Sequence, residues 1–264
     1  MKIGFIGLGN MATAMIGGII GKGLYGRDEL IGSAKTVETA QRVAKQYGIE
    51  TCTDNQKVAS CADVLVLAVK PIFLPEVISE IRDSIDSSKL VISIAAGKSI
   101  EWLEARFGTP LRLVRCMPNT PALVGEACTC VCLKEDTTEE DCKFALKLME
   151  SFGTASVLPE RLIDAFTGVA GSSPAYVFLF LEAMADAAVC AGIPRKQAYE
   201  FAAQSVLGSA KLMLETGKHP GELKDMVCSP GGTTIEAVKV LEEKGLRGAV
   251  IDAIEACVNK SKML

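Results

Sequence analysis

Short apolar runs that alternate with amphipathic stretches fill the first half of the chain. The runs lie at residues 3–6, 30–32, 64–69, 90–96 and 111–115, and several of them are apolar throughout. A continuous apolar run is the pattern of a strand that is buried on both faces, and such strands are typical of a parallel sheet covered by helices. The stretches between them predict helices over residues 11–22, 37–47, 75–84 and 100–107. This alternation predicts an α/β fold with a doubly wound, Rossmann-like sheet.

The second part of the chain has a different pattern. A predicted strand at 127–132, a helix at 138–152 and a strand at 154–157 complete the α/β region, and no convincing strand follows residue 162. Helical periodicity covers residues 174–191, 195–216, 233–243 and 246–262, with glycine and proline breaks between them. We therefore predict an α/β domain of residues 1–160 and an all-helical domain of residues 161–264.

The helix predicted at residues 174–191 is apolar almost all round. Glu182 and Asp186 are its only charged residues, and it is too short and too interrupted for a membrane span. A helix that is apolar on every face has to be buried on every face. A small helical domain has little interior for it, so we expect this domain to form a homodimer and not to enter a membrane.

Charge and cysteine content narrow the classes of function. The net charge of −4 argues against nucleic acid or an anionic membrane surface as the main partner. The ten cysteines show no metal-ligand spacing, and so long a chain is not a disulfide scaffold. We predict free thiols, no metal site and a reducing cytoplasmic location. Cys128, Cys130 and Cys132 alternate along a predicted strand, where one face would hold all three as small apolar fillers.

A glycine motif stands where the first predicted strand meets the first predicted helix. The sequence Gly7-x-Gly9-x-x-Ala12 allows a tight turn, a close approach of backbone to a pyrophosphate, and close packing of helix on strand. The helix N-terminus then offers N–H groups and the positive end of its dipole to phosphate. The motif in this context predicts a dinucleotide site.

The end of the second strand indicates which dinucleotide is preferred. An NAD site usually has an acidic residue there to bond the ribose hydroxyl, whereas this chain has none. Ser33, Lys35 and Thr36 are suited to a 2′-phosphate, which a carboxylate would repel. We therefore expect NADP(H) as the preferred cofactor, with NAD(H) as a second one.

Further candidates lie at the ends of the other predicted strands. Ligands of an open α/β sheet bind beyond the carboxyl ends of the strands, which is where Lys70 follows the run at 64–69. Asn55 and the segments 95–97 and 117–119 fall in corresponding places, so we expect them along the same edge.

The helical region holds a turn with a group of hydroxyl side chains. Pro230-Gly231-Gly232 reads as a turn, after which Thr233 and Thr234 open an amphipathic helix. Such a helix N-terminus suits a small carboxylate. The alternative interpretation is an ordinary serine or threonine helix cap.

The segment DMVCSPGGTTIEAVKVLE closely resembles the signature segment of the pyrroline-5-carboxylate reductases. The motifs GFIGLGNMA, LAVKP, SIAAG, RCMPNTP, GSSPAYVF and HPGELKD occur in that family's order, so the resemblance covers essentially the whole chain. One departure is Ser173, which stands where the family usually has glycine.

The resemblance implies an enzyme that reduces 1-pyrroline-5-carboxylate to L-proline with NAD(P)H, the last step of proline biosynthesis. It implies a Rossmann domain followed by a helical dimerisation domain, with dimers that assemble into rings such as a decamer. The family's substrate carboxylate site matches Ser229, Gly232 and Thr233, and its hydroxyl near the ring nitrogen matches Thr234, the candidate catalytic residue. The candidate cofactor-binding residues are Gly7, Gly9, Asn10, Met11, Ser33, Lys35, Asn55, Ala68, Val69, Lys70, Pro71, Ala95, Ala96, Gly97, Pro118 and Asn119.

Two other classes share parts of this pattern. A β-hydroxyacid dehydrogenase needs a lysine base and an asparagine, but the corresponding positions hold Val177 and Leu181, and the only histidine, His219, reads as a surface loop residue. An NADP(H) sensor or scaffold would keep the glycine loop and lose the turn at 229–234, which is intact here.

Overall fold

The computed structural model describes residues 1–263 and contains one eight-stranded sheet. Its strands are β1 Ile3–Ile6, β2 Leu30–Ser33, β3 Glu50–Cys52, β4 Val64–Leu67, β5 Leu90–Ser93, β6 Arg112–Met117, β7 Ala127–Leu133 and β8 Gly153–Val157. The order across the sheet is β3-β2-β1-β4-β5-β6-β7-β8. The strands β1 to β6 are parallel, and β7 pairs antiparallel to β6. The chain therefore reverses direction across the sheet between β1 and β4, the switch point where dinucleotides bind in doubly wound folds.

Seven helices belong to the same unit as the sheet. They are α1 Asn10–Gly21, α2 Val37–Tyr47, α3 Asn55–Cys61, α4 Leu74–Ile81, α5 Ile100–Phe107, α6 Glu139–Met149 and α7 Ile163–Phe166. Side-chain caps begin four of them, where Thr36, Asp54, Ser99 and Thr138 accept a backbone N–H from the first turn. Two apolar cores lie on opposite faces of the sheet, and every residue of β1, β2, β4 and β5 is buried. The predicted doubly wound α/β fold is confirmed.

Three elements of this unit were not predicted from the sequence, which are β3, α3 and the four-residue helix α7. The edge strand β3 has three residues, none of them buried, so it lacks the apolar run that marks the other parallel strands. The helix α3 has seven residues, which is too short for a clear helical period. The prediction for the three cysteines of β7 is only partly confirmed. Cys130 and Cys132 are buried, as predicted, whereas Cys128 is exposed.

The second unit is all-helical, as predicted. It is built from α8 Ser173–Cys190, α9 Arg195–Thr216, α10 Pro220–Val227, α11 Thr233–Glu243 and most of α12 Leu246–Ser261. The compact units are Met1–Ser172, joined by the chain from Cys257 onward, and Ser173–Ala256. The predicted domain division after residue 160 stays a prediction, since packing within one subunit need not follow domain boundaries.

The helical unit exposes a large apolar surface. Phe178, Leu179, Phe180, Phe201 and Leu214 are all exposed in a single chain, Leu214 by 83 %. The run Glu160–Cys190 is long and apolar enough, by length and composition alone, to cross a membrane, and it is the only such helix among residues 1–263. A helix that is buried in the interface of a soluble dimer passes the same test. An exposed apolar surface of this size therefore indicates contact with either a membrane or a second protein chain.

Candidate functional site

Gly7 turns the chain sharply at the end of β1. Its φ is +94°, and its backbone N–H donates to the carbonyl oxygen of Ser33 at 3.0 Å. A Cβ at this position would lie 2.8 Å from the carbonyl oxygen of Ala68 and 2.9 Å from a methyl group of Val69. The loop therefore lies directly against the ends of β2 and β4, and only glycine fits this turn.

The N-terminus of α1 is open to a ligand. Gly9 is the N-cap, no side chain accepts the N–H groups of the first turn, and that turn holds no acidic residue. A Cβ on Gly9 would meet nothing within 4 Å. Free N–H groups and the positive end of the helix dipole thus face open space, which fits the pyrophosphate of a dinucleotide.

A cleft of about 430 Å³ extends from this loop along the carboxyl ends of the strands. We call it the glycine-loop cleft. It brings together eight of the predicted cofactor residues, which are Gly7, Gly9, Ser33, Lys35, Asn55, Ala68, Val69 and Lys70. Its other lining residues are Leu8, Ala34, Thr36, Thr39, Thr53, Phe73, Glu76, Val77 and Glu80. Of these, only Thr36 was predicted from the sequence. Glu76 and Glu80 lie on α4, and no sequence motif indicates that this helix faces the cleft.

The remaining predicted cofactor residues lie outside the lining of this cleft. Asn10 and Met11 form the first turn of α1, and Pro71 follows Lys70 in a short 3-10 turn. Ala95, Ala96 and Gly97 follow β5, and Pro118 and Asn119 follow β6. Since β4, β5 and β6 are parallel neighbours, these two loops lie at the same edge of the sheet. Their role in binding the cofactor stays a prediction.

Asn119 is held by both ends of its amide. Its Nδ2 donates to the carbonyl oxygen of Ala170 at 2.9 Å, and its Oδ1 accepts the backbone N–H of Cys128 at 2.9 Å. Ala170 belongs to a π-helical turn, Thr167–Gly171, whose carbonyl groups lack regular α-helical partners. Asn119 thus ties the end of β6 to this turn, a contact that the sequence did not indicate.

An ion pair between a buried arginine and a partly exposed glutamate supports the loop after β5. Arg115 is 6 % exposed, and its Nη1 donates to Glu160 Oε1 at 2.7 Å. The same oxygen accepts the backbone N–H of Ile100 at 2.8 Å. One carboxylate therefore fixes the start of α5, three residues beyond the predicted cofactor loop at 95–97.

Polar side chains at the end of β2 form a short hydrogen-bonded chain in the cleft. Ser33 Oγ donates to Asn55 Oδ1 at 2.7 Å, and Asn55 Nδ2 donates to Glu80 Oε2 at 2.7 Å. The Lys35 ammonium lies 5.0 Å from the centre of the Phe73 ring. The cleft thus holds the Lys35 ammonium near the end of β2, where its positive charge suits a phosphate, beside a serine and an asparagine that are bonded to each other.

In the helical unit, the predicted substrate turn leaves the N-terminus of α11 uncapped. Gly231 has a φ of +67°, and Gly232 is the N-cap, with no side-chain hydrogen bond to the first turn. The alternative of a serine or threonine cap is therefore wrong. The hydroxyl groups of Ser229, Thr233 and Thr234 have no hydrogen-bond partner within the part of the chain that the structure describes. The turn presents backbone N–H groups and three hydroxyls, which is what a small carboxylate requires.

His219 has a structural place. It is the N-cap of α10, and its Nδ1 accepts the backbone N–H of Gly221 at 3.1 Å. The sequence predicted a surface loop residue, and His219 is exposed. It nevertheless caps α10, a helix that was not predicted because its eight residues, which begin with Pro220, show no clear helical period. The only histidine of the chain is thus used in holding a turn.

The sheet order, the glycine loop and the open N-terminus of α1 together define a Rossmann-type, NAD(P)-dependent oxidoreductase. Two family models match the chain, one in the α/β region and one in the helical region. Residues 2–97 match the model described as NADP oxidoreductase coenzyme F420-dependent, and residues 160–264 match the model for pyrroline-5-carboxylate reductase dimerisation.

Full-length relatives identify the particular family. The chain is 51 % identical to the pyrroline-5-carboxylate reductase of Escherichia coli (strain K12), over 100 % of this chain and 98 % of the relative. Among solved structures, that of the Coxiella burnetii pyrroline-5-carboxylate reductase is 36 % identical, with a TM-score of 0.93 over 99 % of this chain and 97 % of the other. A Plasmodium falciparum pyrroline carboxylate reductase solved with NADP bound is 32 % identical, with a TM-score of 0.88 over 100 % and 97 %. The chain belongs to the pyrroline-5-carboxylate reductase family.

Proposed function

We propose that this chain reduces 1-pyrroline-5-carboxylate to L-proline with NADPH as the preferred hydride donor. The observation that carries the proposal is the uncapped turn before α11, with its three unpaired hydroxyls, in a chain that also holds an open glycine-loop cleft. A dinucleotide site alone would suit many reductases; the second site adds recognition of a small carboxylate. The family membership supports both assignments.

In this proposal the glycine-loop cleft holds the cofactor. The N–H groups at the start of α1, at Asn10 and Met11, receive the pyrophosphate, and Ser33, Lys35 and Asn55 receive the ribose end with its 2′-phosphate. Lys70 and the segments 95–97 and 118–119 flank the rest of the dinucleotide. When bound, the reduced nicotinamide supplies the hydride.

The substrate turn positions the imine. Ser229, Gly232 and Thr233 hold the carboxylate at the start of α11, and Thr234 donates to the ring nitrogen as it becomes an amine. A protonated imine brings its own proton, so the reaction needs no histidine or lysine base. Fixing two reacting groups in this way removes several kcal/mol of the barrier without acid–base chemistry.

Assembly and location complete the proposal. The dimerisation family model covers the helical region, so the chain is an oligomerising subunit whose exposed apolar helices meet a second copy. We propose that dimers assemble further into a decamer, and that the enzyme works in the cytoplasm, where its ten free thiols stay reduced.

The proposal is tested by the loss of NADPH absorbance with 1-pyrroline-5-carboxylate, beside matched reactions with NADH and with the six-membered imine 1-piperideine carboxylate. We expect rapid oxidation of NADPH with the five-membered imine and slower oxidation of NADH. A protein that binds NADPH but reduces neither imine would contradict the proposal and favour an NADP(H) sensor.

A further inference from the structure

The Lys35 ammonium is held by an aromatic ring and not by a carboxylate. It lies 5.0 Å from the centre of the Phe73 ring, within the range of a cation–π interaction. Among residues 1–263 it forms no ion pair and no hydrogen bond, although Glu76 and Glu80 line the same cleft. The positive charge of Lys35 is therefore not compensated by a neighbouring acid.

An aromatic ring holds a cation differently from a carboxylate. The ring attracts the ammonium through its quadrupole and has no net charge, so the ammonium keeps its full positive charge. A carboxylate in the same place would cancel that charge and would itself repel a phosphate. Phe73 is thus suited to fix the position of Lys35 without weakening the attraction of Lys35 for an anion.

Phe73 lies on a turn with little freedom of its own. Pro71 opens the 3-10 turn Pro71–Phe73, and the backbone N–H of Phe73 donates to the carbonyl oxygen of Lys70 at 2.9 Å. The φ of Pro71 is fixed by its ring, and Phe73 itself is the N-cap of α4. A free lysine loses rotamer freedom when it binds a ligand, so a lysine that the ring has already ordered binds at a lower cost.

We propose that Phe73 is a positioning residue that favours the phosphorylated cofactor by acting through Lys35. Lys35 lies two residues beyond Ser33, the last residue of β2, and the ribose 2′ substituent is held at the end of that strand in this fold. The 2′-phosphate of NADP(H) is an anion, whereas the 2′-hydroxyl of NAD(H) is neutral, so an ordered ammonium at this place favours NADP(H) alone. This inference rests on the proposed binding of NADP(H) in the glycine-loop cleft.

Direct stacking of the ring on the cofactor would have a different signature. Phe73 lines the cleft and is 38 % exposed, so its ring is accessible to a ligand. The adenine is the same in NADP⁺ and NAD⁺, and a ring that stacked on it would strengthen the binding of both equally. An effect that passes through Lys35 strengthens NADP⁺ only, so a comparison of the two cofactors separates the two roles.

The experiment is calorimetric titration of NADP⁺ and NAD⁺ into the wild-type protein and the variants Phe73→Leu, Phe73→Tyr, Lys35→Gln and the double variant Lys35→Gln/Phe73→Leu. Phe73→Leu keeps an apolar side chain and removes the ring, so we expect it to weaken NADP⁺ about two- to fivefold, the worth of one exposed cation–π contact, and to leave NAD⁺ unchanged. Phe73→Tyr, which keeps a ring, should bind NADP⁺ as the wild type does. In the double variant, Phe73→Leu should cause no loss beyond that of Lys35→Gln, because no ammonium is left to position.

The matched control is Ile72→Ala, on the same turn. Ile72 is 78 % exposed and is not part of the cleft lining within the described chain, so this variant should bind both cofactors as the wild type does. Phe73 belongs to neither apolar core of the described residues, so Phe73→Leu should also keep the wild-type melting temperature.

Three results would overturn the inference. They are an equal loss of NADP⁺ and NAD⁺ in Phe73→Leu, unchanged or tighter NADP⁺ binding by that variant, and a further loss of NADP⁺ when Phe73→Leu is added to Lys35→Gln. Because the readout is binding, a wild type that bound NADP⁺ selectively but reduced no imine would contradict the proposed function and leave this inference in place.

Discussion

Gly7 and Gly9 lie two positions apart and have different physical roles. A side chain at Gly7 would collide with backbone and would have to adopt a positive φ, whereas a side chain at Gly9 would enter open space. We expect Gly7→Ala to lower the free energy of unfolding by about 1–3 kcal/mol and to abolish NADP⁺ binding. Gly9→Ala should lose the binding but keep wild-type stability, as urea unfolding with and without NADP⁺ would measure. Equal stability of the two variants would contradict this account of the turn.

Thr234 is the residue on which the proposed chemistry depends. The residue is half-buried and its hydroxyl has no partner among the described residues, so its removal disturbs no hydrogen bond of the folded chain. We expect Thr234→Ala to lower kcat/KM about tenfold or more, the worth of one hydrogen bond made in the transition state, with NADPH affinity unchanged. Thr234→Ser should recover most of the rate. Steady-state kinetics with an unchanged rate for the alanine variant would remove Thr234 from the mechanism.

Single residues of the cofactor site could be predicted where a motif fixes the backbone. Gly7 and Lys70 lie just beyond β1 and β4, and Ser33 is the last residue of β2. The ends of these strands are visible in the sequence, and the cleft contains all three residues. Glu80 and Phe73 could not be predicted in this way. Their place in the cleft depends on how α4 and the turn before it pack, which no local pattern encodes.

At the scale of elements, the start of α6 is stabilised by a charged pair. Asp141 is 2 % exposed, and Arg112 binds both of its oxygens, with Nε at 3.1 Å from Oδ2. The Arg112 guanidinium, more than the Thr138 hydroxyl, holds the pKa of Asp141 below its ordinary value. Because the folded pKa is the lower one, the pair stabilises the fold above the unfolded carboxyl pKa, and this contribution disappears as the pH falls through the folded pKa.

Asp141→Asn is therefore expected to be destabilising in a pH-dependent way. The free energy of unfolding should fall by about 1–2 kcal/mol at neutral pH, since Arg112 is partly exposed. The difference from wild type should shrink below about pH 4. Urea unfolding at several pH values measures this, with Glu139→Gln, an exposed acid on the same helix, as the matched control. A difference that persisted unchanged at low pH would contradict the role given to the charge.

The sequence predicted the elements that are long enough to be periodic or that are apolar throughout. Continuous apolar runs marked β1, β4 and β5, and amphipathic periods marked α2, α5, α9 and α11 at the bounds that the structure has. The short elements β3, α3 and α10 escaped, because three to eight partly exposed residues carry little periodicity. These elements form because they pack against longer neighbours, and the residues of a short segment do not reveal such contacts.

At the scale of the whole molecule, we expect the exposed apolar side chains of α8 and α9 to form the interface between two copies of the chain. We expect a stable dimer at micromolar concentration by light scattering. Leu179→Glu, which places a charge on a 69 % exposed leucine of that face, should shift the protein towards monomer or lower its stability steeply. Ile72→Glu, at an isoleucine of the α/β unit that is 78 % exposed, should leave the dimer intact. A well-folded monomeric wild type would contradict the proposed interface.

The central claim is that this protein transfers a hydride from NADPH to a cyclic imine. The most direct test supplies NADPH deuterated at the transferable position with 1-pyrroline-5-carboxylate and examines the product by mass spectrometry and NMR. The account predicts L-proline with one deuterium, at the ring carbon that formed the imine double bond, for each NADP⁺ produced. Oxidation of NADPH without labelled proline, or no reaction in a protein that binds both ligands, would contradict it.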